Sequence, residues 1–156
     1  MEIEKAKILL SSIKDRYDFI IIADNALEAK AGTLLGFEIA IIIGFLSLIV
    51  ASLSGIKFFE GIIGIFLLVI SIILLFIITW PRKYASFSVN IMEGHKDYLK
   101  KTEEELLEQM ISDSQNSTSI NKKISERKAN LYKWSMLFLI VSLLLLILSK
   151  ASLFYV

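Results

Sequence analysis

The stretch GTLLGFEIAIIIGFLSLIVASLS, residues 32–54, decides how this chain folds. From Ile39 to Ile56 there are eighteen residues without a charge. A helix of about 20 apolar residues, rising 1.5 Å each, crosses the hydrocarbon of a bilayer, so this run reads as a transmembrane helix. Small residues recur along it at Gly32, Gly36, Ala40, Gly44, Ser47, Ala51 and Ser54. At ~100° per residue they fall within a sector of roughly 120°. Such a stripe lets a second backbone come close, which is how helices associate in lipid, where apolar burial gives no drive. The alternative is glycine scattered by chance in an apolar segment. The length of the run favours a packing seam.

Composition agrees with a membrane protein. Hydrophobic residues make up 55% of the chain and mean hydropathy is +0.65, above the roughly 45–50% apolar content of soluble domains. A net charge of +1 gives no basic footprint for nucleic acid. Without cysteine there are no disulfides, thiolate metal sites or cysteine nucleophiles.

Upstream, residues 1–30 are acidic and lack a short apolar core beside a cationic start, so they do not read as a signal peptide. They carry a heptad instead: Ile3, Ala6, Leu10, Ile13, Tyr17, Ile20, Asp24, Leu27, Ala31 and Leu34. Spacing of three and four marks an amphipathic helix with a partner. No glycine or proline separates it from the apolar run, so Met1 to about Leu53 is expected as one helix, cytosolic over 1–30 and membrane-spanning over 31–54. Asp24 is the lone charge in that seam. It is either solvated at a helix edge or paired across the bundle, the expected partner being Arg127.

Downstream, Lys57 to Glu60 is expected as a short polar turn, followed by a charge-free second span over 61–80. Trp80, Pro81, Arg82 and Lys83 close it as interface anchors. Residues 81–133 are polar, with a helix expected from about Ile91 to Ile111. A loop is expected at Asp113–Ser119, where Asp, Ser, Asn and Thr cluster. From Ile120 a last helix is expected, with Ile120, Ile124, Arg127, Leu131, Trp134 and Phe138 on one face. It leads into a third span over 134–153. The fold expected is therefore all-α: three transmembrane helices continuing into a cytosolic helical bundle. Five Lys and Arg precede the first span, ten lie between the second and third, and Lys57 and Lys150 stand alone on the other side. The positive-inside rule puts the N-terminus in the cytoplasm and the C-terminus outside.

Little here suggests catalysis. His95 is the only histidine, with no metal-spaced companions, and there is no phosphate loop or serine elbow. His95 reads as a surface residue, and Glu103, Glu104, Glu105 and Glu108 as a solvated helix face. No enzyme, cofactor or metal site is expected. Glu38 needs a reason, because it lies six residues inside the first span, opposite the small stripe. Either it sits at the cytosolic headgroups, or it lines a pathway between protomers.

The run Ile21 to Gly36, IIADNALEAKAGTLLG, resembles the start of small multi-span effectors of bacterial anti-phage defence. These are the transmembrane effectors of the Pycsar type and related two-span effectors of cyclic-oligonucleotide systems. Lys30-Ala31 matches their Lys-Ala pair at the mouth of the first span, and Glu28 stands where an Asp is usual. A second echo is Ile120 to Trp134, with Lys128, Asn130 and Leu131 leading into the final span. The resemblance implies an effector that, on a nucleotide signal, oligomerises or opens and damages the inner membrane of the infected cell. It also implies a possible cyclic nucleotide ligand, although no sensor domain is attached. The partners expected are the lipid bilayer and further copies of the chain, with no nucleic acid. The competing reading is a membrane-anchored helical scaffold without pore activity. A holin fits the charge count poorly, and a small lipid kinase lacks its acidic and amide cluster.

Overall fold

The three-and-four spacing of residues 3–34 continues without a break into the apolar run and makes one helix. The computed structural model describes residues 3–49, 56–85 and 101–151. Within them are three helices: α1, Ile3–Ile49; α2, Ile56–Thr79; and α3, Glu103–Ala151. No strand occurs among the described residues. Of the helix expected from Ile91 to Ile111, residues 91–100 lie outside them, and Glu103 to Ile111 are helical as the start of α3. Backbone contacts divide the chain into two units, Met1–Ala26 with Arg82–Arg127, and Leu27–Pro81 with Lys128–Val156.

In the first unit Ala6 and Ile13 of α1 pack on Leu107 and Ile111 of α3, with Leu10 against them. The start of α3 is a capping box: the Thr102 N–H donates to Glu105 Oε2 at 2.9 Å and the Glu105 N–H to Thr102 Oγ1 at 3.4 Å. The Thr102 N–H also holds the Glu105 carboxyl below its ordinary value of 4.5, with help from the Thr102 hydroxyl. The segment after Pro81 is pinned by polar side chains. Tyr17 donates to the Ala85 carbonyl at 3.0 Å, and the Asn121 amide both donates to that carbonyl and accepts from the Ala85 N–H.

In the second unit Ala31, Leu75 and Ile78 form the core, with Leu34, Leu35, Leu131 and Tyr132 against them. α2 and α3 come close together at Gly64 of α2. A Cβ there would stand 3.0 Å from the Leu146 side chain and 3.3 Å from the Ser142 carbonyl of α3.

Two expected turns are helical. Lys57–Glu60 falls in the first turns of α2, since nothing after Gly55 breaks the chain. Asp113–Ser119 lies inside α3. There Ser114 and Thr118 face inward, and the Thr118 hydroxyl donates to the Ser114 carbonyl at 2.7 Å, so the polar groups are met within the helix.

Among the described residues two helices are long and apolar enough to cross a membrane: Phe59–Thr79 in α2, with an 18-residue window of mean hydropathy 3.3, and Glu103–Ser149 in α3, with one of 2.3. A core helix of a soluble protein would be mostly buried, yet only 33% and 22% of these windows are. Phe66, Ile73 and Phe76 on α2, and Leu144, Ile147 and Leu148 on α3, are exposed. Lipid is the solvent such faces suit. The third expected span, in α1, is not among the two. Its apolar run continues past Ile49, beyond the described part of that helix.

Candidate functional site

Along α3 the buried face returns every seven residues to Ser114, Asn121, Lys128, Ser135, Ser142 and Ser149, none more than 1% exposed. Two helical turns separate successive members, about 10.5 Å along the axis. Four of these six residues belong to the second unit, where the helices are most apolar. At its start the Lys128 ammonium, fully buried, pairs with Glu28 Oε1 of α1. One step on, the helices meet through three side chains. Ser71 of α2 donates to Glu38 Oε1 of α1 at 2.7 Å. The same hydroxyl lies 2.9 Å from the Ser135 carbonyl and 3.0 Å from the Ser135 hydroxyl of α3. Glu38, Ser71 and Ser135 are all 0% exposed. Farther on, Ser142 donates to the Gly64 carbonyl at 2.7 Å and Ser149 to the Leu146 carbonyl at 2.8 Å. A buried carboxyl and a buried ammonium are costly in apolar surroundings and mark function more often than packing.

A family model described as the Pycsar effector protein domain (PycTM) matches residues 22–155. The chain belongs to the Pycsar effector family. Neither a curated protein nor a solved structure matches it. Membership makes it an effector domain of anti-phage defence, and its two apolar helices agree with a membrane location. Within this Pycsar effector the two stretches that carry the resemblance are joined by an ion pair, Glu28 from the first and Lys128 from the second.

The expected site residues separate into two groups. Glu38 is buried on the inner face of α1, where it accepts a hydrogen bond from Ser71 of its own chain. Gly32, Gly36, Ala40 and Gly44 are exposed, and a Cβ at any of these three glycines would meet nothing within 4 Å. At Gly32 and Gly36 the stripe leaves open space beside the chain. Nothing can be said of the Ser47 side chain, and Ala51 lies outside the described residues, as does His95.

Asp24 is fully buried and accepts a hydrogen bond from the Tyr84 hydroxyl. Arg127 is exposed, so the expected Asp24–Arg127 pair is not formed. The inward cation is its neighbour Lys128, because the buried face of α3 runs one residue beyond the apolar line Ile120, Ile124, Arg127, Leu131. Lys128 was named from the sequence only as part of the resemblance, and Ser71, Asn121, Ser135 and Ser142 were not singled out. The seven-residue recurrence of Ser, Asn and Lys along α3 was the signal for three of those four.

Proposed function

We propose that this Pycsar effector is a homo-oligomeric protein of the bacterial inner membrane that impairs membrane integrity, or conducts ions, on a cytosolic nucleotide signal. The observation that carries this reading is the polar line Lys128, Ser135 and Ser142 with Glu38 and Ser71, enclosed by helices whose outer faces are apolar. An inert anchor has no use for a carboxyl inside the membrane. The α1 run 31–54 is the third span, joining 61–80 and 134–153. The N-terminus lies in the cytoplasm and the C-terminus outside, as the lysine and arginine distribution favours. Copies associate through the small stripe of α1, on which Gly32, Gly36 and Ala40 are exposed.

A nucleotide is read in the first unit. An open cavity of about 560 Å³ there is lined by Leu9 and Ile13 beside Ser12, Arg16, Gln115, Thr118, Ser119 and Lys122, whose two cations and three hydroxyls suit a phosphate. The chain carries out no covalent chemistry in this reading. Inducing it in bacteria while following membrane potential is the test. An effector depolarises the cells and stops growth, and Arg16→Ala with Lys122→Ala loses its response to the signal. Growth with an unchanged potential, with the protein present in the membrane, would leave the scaffold reading.

A further inference from the structure

Glu38 is fully buried, and only one of its carboxyl oxygens is met. Oε1 accepts from Ser71, while Oε2 accepts no hydrogen bond among the described residues. Among the described residues no side-chain cation answers it either. On α1 the nearest charges are Lys30, which is exposed, and Glu28, which is taken up by Lys128. The sequence of α2 has no ionisable residue between Glu60 and Arg82. That of α3 has none between Lys133, which is exposed, and Lys150. Tyr132 packs with the apolar cluster. A carboxylate without a countercharge is strongly disfavoured in such surroundings.

The hydrogens tell the same story independently. Ser71 Oγ has three oxygens within hydrogen-bond distance: Glu38 Oε1 at 2.7 Å, the Ser135 carbonyl at 2.9 Å and the Ser135 hydroxyl at 3.0 Å. Each contact needs one hydrogen, and two hydroxyls supply only two. The cluster is short of one hydrogen and of one positive charge.

We propose that Glu38, Ser71 and Ser135 form a binding site for one small monovalent cation, a proton or an alkali ion, inside the helices of a single chain. A proton on Glu38 supplies the missing hydrogen: Glu38 donates to Ser71, Ser71 to the Ser135 carbonyl, and Ser135 to Ser71. An alkali ion instead meets hard oxygens of the kind it favours, from the carboxylate, the two hydroxyls and the Ser135 carbonyl. The proposal rests on the membrane reading for its apolar surroundings and gives that reading its ion.

The test is labelling of the whole chain in lipid vesicles with dicyclohexylcarbodiimide. This apolar reagent enters bilayers and attacks carboxyls that carry a proton. Mass spectrometry reads Glu38, and Glu38→Gln is the blank. For a proton site, labelling falls about tenfold per pH unit above its midpoint and ignores sodium and potassium. For an alkali site, sodium or potassium suppresses labelling at fixed pH and a bulky organic cation restores it. Ser71→Ala, or Ser135→Ala should the first not fold, shifts the midpoint or the ion concentration required. Labelling that follows neither pH nor ion, or that never occurs, overturns the site, as does a folded serine variant with unaltered dependence. The readout needs no channel activity, so it stands apart from the membrane-potential experiment.

Discussion

Lys128 and Glu28 hold each other where a buried ammonium meets a carboxylate that is only partly exposed, at 31%. Burying a charge is tolerable when an opposite charge answers it, and removing one partner costs more than the pair contributed. Glu28→Gln should therefore destabilise the chain by about 1–3 kcal/mol, while Glu28→Gln with Lys128→Met costs less than the single change. Arg127→Ala should fall within about 0.5 kcal/mol of the parent, as exposed substitutions do. Thermal unfolding in detergent measures all three. An Arg127→Ala chain as damaged as the Glu28→Gln chain would restore the sequence expectation. That expectation missed by one residue for a physical reason: both cations lie in one helical turn, and apolar spacing alone does not say which of them turns inward. Glu38 was legible as an anomaly because it carries the only charge between Lys30 and Lys57. Its partner Ser71 was not, since a single serine in an apolar helix gives no sign of which helix it faces.

The helices themselves were the legible part. In α1 the heptad read from residues 3–34 is the buried face, with Ala6, Ile13, Ile20, Asp24 and Ala31 inside. In α3 the expected apolar face is exposed at Ile120, Arg127 and Trp134 and only half-buried at Ile124, Leu131 and Phe138, and the inner face carries serine, asparagine and lysine. Lipid is as apolar as leucine, so in a membrane helix burial no longer sorts residues by hydrophobicity. Polar and small side chains go inward, where they find partners. The inner phase set in the membrane part continues along the same helix at seven-residue steps. The same rule identifies Gly64 as the glycine that packing requires within the chain. Gly64→Ala places a methyl 3.0 Å from the Leu146 side chain and 3.3 Å from the Ser142 carbonyl. It should cost about 1–3 kcal/mol through overpacking. Gly36→Ala, with open space around it, should be neutral or slightly stabilising in the helix. Equal melting temperatures for the two variants would mean that α2 and α3 leave room for a methyl group at Gly64.

At the scale of the whole molecule, one long helix carries two faces with separate tasks. The inner face of α1 presents Asp24, Ala31 and Glu38 to its own chain, and the small stripe Gly32, Gly36, Ala40 and Gly44 looks outward. Outward-facing glycine contributes nothing to the fold of a single chain and weakens a helix by about 1 kcal/mol relative to alanine. Such residues make sense where a second copy lays its backbone against them. The chain contains no cysteine, so each introduced thiol is unique and reports on one position. Gly36→Cys and Ala40→Cys should give covalent dimers in oxidised membranes, because a disulfide needs Cβ atoms within about 4 Å. Leu75→Cys, placed where the native side chain is 0% exposed, should stay monomeric. Adding Gly36→Leu to Ala40→Cys should suppress the dimer and, with it, the loss of membrane potential, since the larger side chain holds the two backbones apart. Crosslinking at Leu75 as strong as at Ala40 would mean collision in the membrane and not a seam. Strong crosslinking at Ala40 that survives Gly36→Leu would place the contact between copies on another face of α1.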